Sequence, residues 1–263
     1  MITKAASNHS APPLLSLFVA CYNEEDNIVG TLNSVRDACE HVGISYEMLV
    51  IDDASRDRSV EIIQTWMEEN PRVPLRLIVN PRNLGLAVNF ITAAREASGE
   101  WYRLICGDNV EPLETLAAVF QEIGKAEVLL PYHTHCPGKI WSRRLISTLY
   151  TLLVNLLSGY WVRYYNGLPV TRRRYAEIFC HPELGFSFQA DFVTQLLDLG
   201  LSRLEIPVKT HERVSGSANA LTKRNIAGAR SAFRRIAKRR VARLFGNKGG
   251  FAVCEAMEPS NES

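Results

Sequence analysis

The chain has 263 residues, 46% apolar and 22% charged, which suits one large α/β domain or one domain with a small appendage and excludes a disordered polypeptide. Its formal net charge of +2 conceals an asymmetry: from Arg213 to Cys254 there are eleven Lys and Arg and no acid, so one end is cationic and the rest mildly anionic. Six cysteines without a CxxC pair exclude a zinc finger or a small disulfide scaffold and read as reduced, packed thiols.

Residues 1–13 are polar, hold no apolar run of the kind a secretion signal needs, and read as a disordered tail. LLSLFVA (14–20) reads as a buried strand, followed by a polar turn and a helix from about Asn27 to His41. YEMLVID (46–52) is a second strand, leading to a helix over 59–69, and LRLIV (75–79) a third. A helix over 84–97, a strand WYRLIC (101–106), a helix from Pro112 to about Gly124 and a strand EVLLP (127–131) continue the alternation. Short apolar strands separated by helices predict an α/β chain with a mostly parallel sheet covered on both faces. Ligands of such sheets bind beyond the carboxyl ends of the strands.

After about residue 138 the pattern changes. LISTLYTLLVNLLSGYWV (145–162) carries no charge and is flanked by Arg143, Arg144 and Arg163. As a helix it would extend roughly 27 Å, the lower limit for crossing a bilayer. Ser147, Thr148, Thr151, Asn155, Ser158 and Gly159 dilute it, so a helix lying in a membrane interface or packed in the protein is expected. An irregular stretch near 160–170, a helix near 188–199 and a strand at 203–208 follow. Residues 221–248 set Ile226, Phe233, Ile236, Val241 and Leu244 at helical spacing among Lys and Arg, a basic amphipathic helix, and 249–263 form a flexible tail.

Three strand ends carry acids and small polar groups: Cys21-Tyr22-Asn23-Glu24-Glu25-Asp26, Asp52-Asp53-Ala54-Ser55-Arg56-Asp57 and Gly107-Asp108-Asn109-Val110-Glu111. Carboxylates gathered at one edge repel unless a cation or a hydrogen-bonding ligand joins them. A hard divalent ion shared with a diphosphate would resolve that repulsion. Asp26 and Asp57 read instead as solvated or helix-capping acids, and the histidines at 133, 135 and 181 as loop or surface residues.

VACYNEEDNI, LVIDDASRDRS, NPRNLGLAVNFITAAREASGEWYRLICGDNVEP, YYNGLPVTRR (164–173) and RLEIPVKTHERVSG (203–216) occur in an order that resembles family 2 glycosyltransferases, in particular the dolichol- and polyprenyl-phosphate sugar synthases. The resemblance covers roughly residues 14–220. It implies a GT-A fold, a Rossmann-like sheet flanked by helices, with amphipathic helices toward the C-terminus. It also implies a nucleotide-sugar donor, with Tyr22, Asn23, Glu24, Asp52 and Asp53 holding base and ribose. The family's DxD motif falls on Cys106-Gly107-Asp108, so Asp108 is the implied ligand of Mg2+ or Mn2+, with Glu111 a second candidate. Arg143, Arg144 and Arg213 are the implied phosphate clamps. Asp191 matches an acid near the acceptor and would be a general base if the acceptor were a sugar hydroxyl; a lipid phosphate, already ionised, needs none.

The resemblance further implies a lipid-phosphate acceptor and reaction by inversion. Basic residues near an anionic membrane each contribute about 1 kcal/mol. The expected location is the cytoplasmic face of the membrane, peripherally bound, either directly or through a membrane-protein partner. Transfer to a polysaccharide or oligosaccharide, and nucleotide-sugar binding without turnover, remain as alternatives. No specific nucleic acid is expected, because such a role leaves the three acidic loops unexplained.

Overall fold

The computed structural model describes residues 11–135, 141–179, 187–211 and 223–246, without the side chains of 135, 141–144 and 223–225. In chain order the elements are β1 (Leu15–Cys21), α1 (Ile28–Val42), β2 (Tyr46–Asp52), α2 (Ser59–Glu69), β3 (Leu75–Val79), α3 (Leu86–Glu96), β4 (Trp101–Cys106) and α4 (Leu113–Phe120). These are followed by β5 (Val128–His135), α5 (Trp141–Ser158), β6 (Val170–Arg172), α6 (Arg173–Glu177), α7 (Phe188–Asp198), β7 (Arg203–Lys209) and α8 (Lys223–Leu244).

The strands form one mixed, mostly parallel sheet in the order β3-β2-β1-β4-β6-β5-β7. Pairs β1–β2, β1–β4, β2–β3 and β5–β7 are parallel, and β6 runs antiparallel to both β4 and β5. The sequence pattern does not reveal β6. Three residues are too few for any periodicity, and Thr171 earns its place only by pairing with Tyr102 on one side and Val128 on the other.

Alternation along each strand divides the core into two layers. Leu15, Leu17 and Val19 of β1 face α1, α2 and α4 with Val50 and Ile105, while Phe18, Leu49, Ile51, Tyr102 and Leu104 face α3 and α7. Burial on both faces explains why the central strands read as continuous apolar runs.

The charge-free run near 145–162 forms α5, which starts earlier, at Trp141, and stops at Ser158. Gly159 takes a left-handed φ of 77° that ends the helix, and a side chain there would strike Arg240 of α8. Among the described residues no helix is long and apolar enough to cross a membrane. The basic segment is not a separate appendage over its described part. Ala232 and Ile236 of α8 are fully buried in the α3–α7 core layer, and Phe233 packs on Tyr150 of α5 with ring centroids 5.5 Å apart.

Candidate active site

The three acidic loops lie side by side, because β2, β1 and β4 are consecutive in the sheet. The first two are clipped together. The Asn23 amide donates to Ser55 Oγ at 2.9 Å, and the Arg56 amide donates to Asn23 Oδ1 at 2.8 Å. The Glu24 amide donates to Ser59 Oγ at 2.9 Å and the Glu25 amide to Asp57 Oδ2 at 3.1 Å. Asp57 also accepts from the Ser59 amide and hydroxyl at the head of α2, the capping role read from sequence. Partial burial opposes ionisation there, but the hydrogen bonds from Ser59 and Glu25 prevail and hold the Asp57 carboxyl below its ordinary range.

Asp52 and Asp53 do not behave as two bare charges awaiting a cation. Asp52 is fully buried and accepts from the Ser55 amide at 3.0 Å and from the Ser55 hydroxyl. Asp53 turns toward α3 and accepts from Asn80 Nδ2 at 2.9 Å and from the Leu84 and Gly85 amides at 2.8 Å each. The repulsion inferred from sequence is thus relieved largely by backbone and side-chain donors, and Asp53 braces the Asn83-Leu84-Gly85 turn. Burial, reinforced by the Asp52 charge, pushes the neighbouring Cys21 thiol up to about 12, so it packs as a small hydrophobe. Cys39, buried and free, behaves the same way.

The third loop is anchored residue by residue. The Gly107 amide donates to the Ala20 carbonyl at 2.9 Å, and a Cβ at 107 would lie 2.7 Å from that oxygen and 3.6 Å from Glu24 Cγ. Only glycine permits so close an approach, which sets Glu24 beside the Asp108 loop. The Asn109 amide donates to Thr31 Oγ1 at 3.0 Å, and the His211 amide donates to the Val110 carbonyl at 2.9 Å. Asp108 is half-buried on this fixed loop, and Tyr22 stands 45% exposed at the rim.

Backbone conformation marks the same edge. Among the described residues the non-glycine positions with positive φ are Asn23 (54°), Ala54 (63°), Asn109 (54°) and Leu168 (53°). The first three fall one in each acidic loop, and the fourth in the turn before β6. Such conformations cost roughly 1–3 kcal/mol each and persist where the surroundings impose them, most often at functional sites.

Two expected site residues have other commitments. Asp191 is fully buried; its Oδ1 receives Arg239 Nη1 at 2.6 Å and its Oδ2 receives Gln195 Nε2 at 3.0 Å. Asp191, the expected acceptor-side acid, is thus enclosed and tied to α8 in this structure. Glu111, the second candidate ligand, meets fully buried Arg103, with Oε1 2.5 Å from Nη2. Arg143 and Arg144 fall in the first turn of α5, with side chains outside the described residues. Arg213 lies outside them altogether.

Among the described residues no three His, Cys, Asp or Glu side chains gather into a metal cage. The donor set does fit an open oxygen site, since a hard cation takes as few as one or two carboxylates when phosphates complete its shell. Asp108 is the side chain positioned to supply one.

A cleft of about 700 Å³ opens where β5 runs past β6 while still paired with β7, between Tyr132–Thr134, α5 and the 161–164 segment. Arg163 stacks over Tyr132 at 4.6 Å, donates to its hydroxyl at 2.5 Å, and sends its amide to Glu205 at 2.9 Å. His133, expected on a loop or surface, instead lies half-buried on β5 with its ring 5.0 Å from that of Tyr164. Above the cleft α5 exposes Leu145, Ile146, Leu149, Leu152, Leu153 and Leu156, and Trp161 is 66% exposed at the mouth.

The sheet order and the helices on both of its faces define a GT-A type of fold. Comparison with known proteins agrees. The family model for glycosyl transferase family 2 matches residues 16–187, and the chain belongs to that family. It is 26% identical over 147 residues to the undecaprenyl-phosphate 4-deoxy-4-formamido-L-arabinose transferase of Pseudomonas aeruginosa, covering 56% of this chain and 43% of that protein. It is 28% identical over 109 residues to the dolichol-phosphate mannosyltransferase of Pyrococcus furiosus, covering 41% of this chain and 30% of that one. The chain thus spans less than half the length of either relative.

Solved structures share the fold. A mannosyltransferase from Pyrobaculum calidifontis, in complex with GDP-Man and Mn2+, superposes with a TM-score of 0.58 at 18% identity, over 92% of this chain and 76% of that one. Glucosyl-3-phosphoglycerate synthase from Mycobacterium tuberculosis, with Mn2+, UDP and phosphoglyceric acid, gives 0.57 at 15% identity, over 90% and 79%.

Proposed function

We propose that the protein transfers a sugar from a nucleotide-sugar donor to a polyprenyl phosphate, or another lipid phosphate, at a membrane surface. The observation that carries the acceptor class is the enclosure of Asp191 by Arg239 and Gln195. Attack by a sugar hydroxyl needs a base, whereas a phosphate monoester is already ionised near neutrality and is nucleophilic without one.

In this reading Tyr22, Asn23 and Glu24 bind the nucleotide along the clipped first loop. Asp52 and Asp53 hold the loops that shape the proposed base and ribose pocket, through Ser55 and through Asn80, Leu84 and Gly85. Asp108 would hold a divalent ion, Mg2+ or Mn2+, which when bound would neutralise charge on the leaving nucleotide. The acceptor phosphate enters the cleft, where Arg163 offers positive charge, and displaces the nucleotide with inversion. Arg143, Arg144 and Arg213 are proposed as further phosphate contacts.

The apolar face of α5 and Trp161 suit the acyl boundary of a bilayer. On α8 the exposed Arg230, Arg234 and Lys238 lie among exposed Val241, Leu244 and Phe245. Together they fit the anionic inner leaflet, alone or beside a membrane-protein partner.

The test is nucleotide release from UDP-, GDP- and TDP-sugars with Mn2+ or Mg2+, with and without a short-chain polyprenyl phosphate. Release stimulated by the lipid phosphate is expected. Stimulation by a saccharide alone would overturn the acceptor class, and binding without release would overturn the enzyme.

A further inference from the structure

Arg103 lies in the middle of β4, fully buried, opposite Leu17 of β1 and 5.8 Å from the Phe120 ring. A guanidinium in such surroundings must be neutralised and hydrogen-bonded. It reaches two segments that face each other across the site. Nη2 meets Glu111 Oε1 at 2.5 Å, three residues after Asp108. Nε donates to the Leu168 carbonyl at 3.2 Å. Leu168 belongs to the turn whose Tyr164 walls the cleft, and whose Gly167 lies so near the Pro131 carbonyl that no side chain fits there. Leu168 itself holds a positive φ of 53°.

We infer that Arg103 is a positioning residue that locks the Asp108 loop and the 164–168 turn at one separation, and that Glu111 acts through it. The inference deepens the proposed transfer reaction and rests on it for its catalytic consequence: the two substrates are brought together by groups on two different segments, and Arg103 spans both. Arginine suits the role because its donors are spread over a planar fork, so Nε and Nη2 reach separated acceptors, whereas lysine carries all its donors on one nitrogen.

The test compares Arg103→Lys, Glu111→Gln and the apolar pair Arg103→Met/Glu111→Leu, the last chosen because a buried ion pair replaced by apolar groups usually still folds. Amide hydrogen exchange is followed at 107–111 and at 164–168, and steady-state kinetics with donor and lipid phosphate. Faster exchange in both segments of each variant is expected, with kcat lower by roughly a hundredfold, the scale of a misplacement of about 1 Å. The Mn2+ concentration for half activation is expected to stay within about threefold of wild type, since Glu111 is not treated as a ligand. Loosening confined to one segment, wild-type kcat in the apolar pair, or a rise in metal requirement with kcat intact would each overturn the inference. A wild-type protein without turnover on any nucleotide sugar would defeat the transfer reading, and the exchange data would still decide the coupling.

Discussion

The carboxyl edge of β1, β2 and β4 and the helical layer of α5, α7 and α8 both hold buried acids, yet they satisfy them differently. At the sheet edge Asp52, Asp53 and Asp57 are held by amides and hydroxyls of their own or adjoining loops. In the helical layer Asp191 and Asp198 are held by Arg239 and Arg243, arriving from α8 more than 40 residues away. Neutral donors shape a loop and leave its carboxylates negative. Arginines offset the charge and tie the acids to a distant helix. The proposed cation site accordingly draws on the first region, and the second anchors α8.

Breaking these ties gives the largest effect. Arg239→Ala leaves buried Asp191 without its arginine and Asp198 with Arg243 alone, and is expected to cost about 3–5 kcal/mol in urea unfolding. Asp191→Asn is the informative companion: a folded variant with near-normal turnover on lipid phosphate supports the anchoring role, and a folded but dead one restores the general base. Asp108→Ala should lower kcat by about 10²–10³-fold, the scale of losing one transition-state charge contact, with the melting temperature little changed. Wild-type turnover in that variant would remove Asp108 from the reaction.

Smaller effects sharpen the contrast. Asp53→Ala removes the acceptor for Asn80, Leu84 and Gly85 and is expected to destabilise by about 1–3 kcal/mol while raising the donor KM. Replacing Leu149, Leu153 and Leu156 with Ser should leave stability within about 0.5 kcal/mol per site, since all three are exposed. Pelleting with anionic vesicles should fall; unchanged pelleting rejects α5 as a membrane face. The least effect is a pH dependence. Asp57 has a folded pKa below its ordinary 3.8, so its contribution is present above that value and lost as pH falls through the folded pKa. Asp57→Asn should flatten the acid limb of the stability curve, and an unaltered limb would discount the cap.

The alternating α/β pattern up to β5, the three acidic loops and the basic amphipathic character of α8 were all legible in the residues, because each rests on local period or strand-end composition. The role of Arg103 also left a trace, as the single charge inside WYRLIC, although nothing local names its partner. The partners of Asp191 and Glu111 left none. Carboxylates at a strand end or in a first helical turn look alike whether they face solvent, a ligand or an arginine.

The sequence by itself determined the alternating α/β architecture and the strand ends where polar residues gather, since hydrophobic period and strand-end composition are local properties. Only the tertiary structure decided which partners each acid meets. Burial and ion pairing are set by side chains that meet from distant segments, as when Arg239 reaches Asp191, while Arg103 finds Glu111 beyond the end of its own strand.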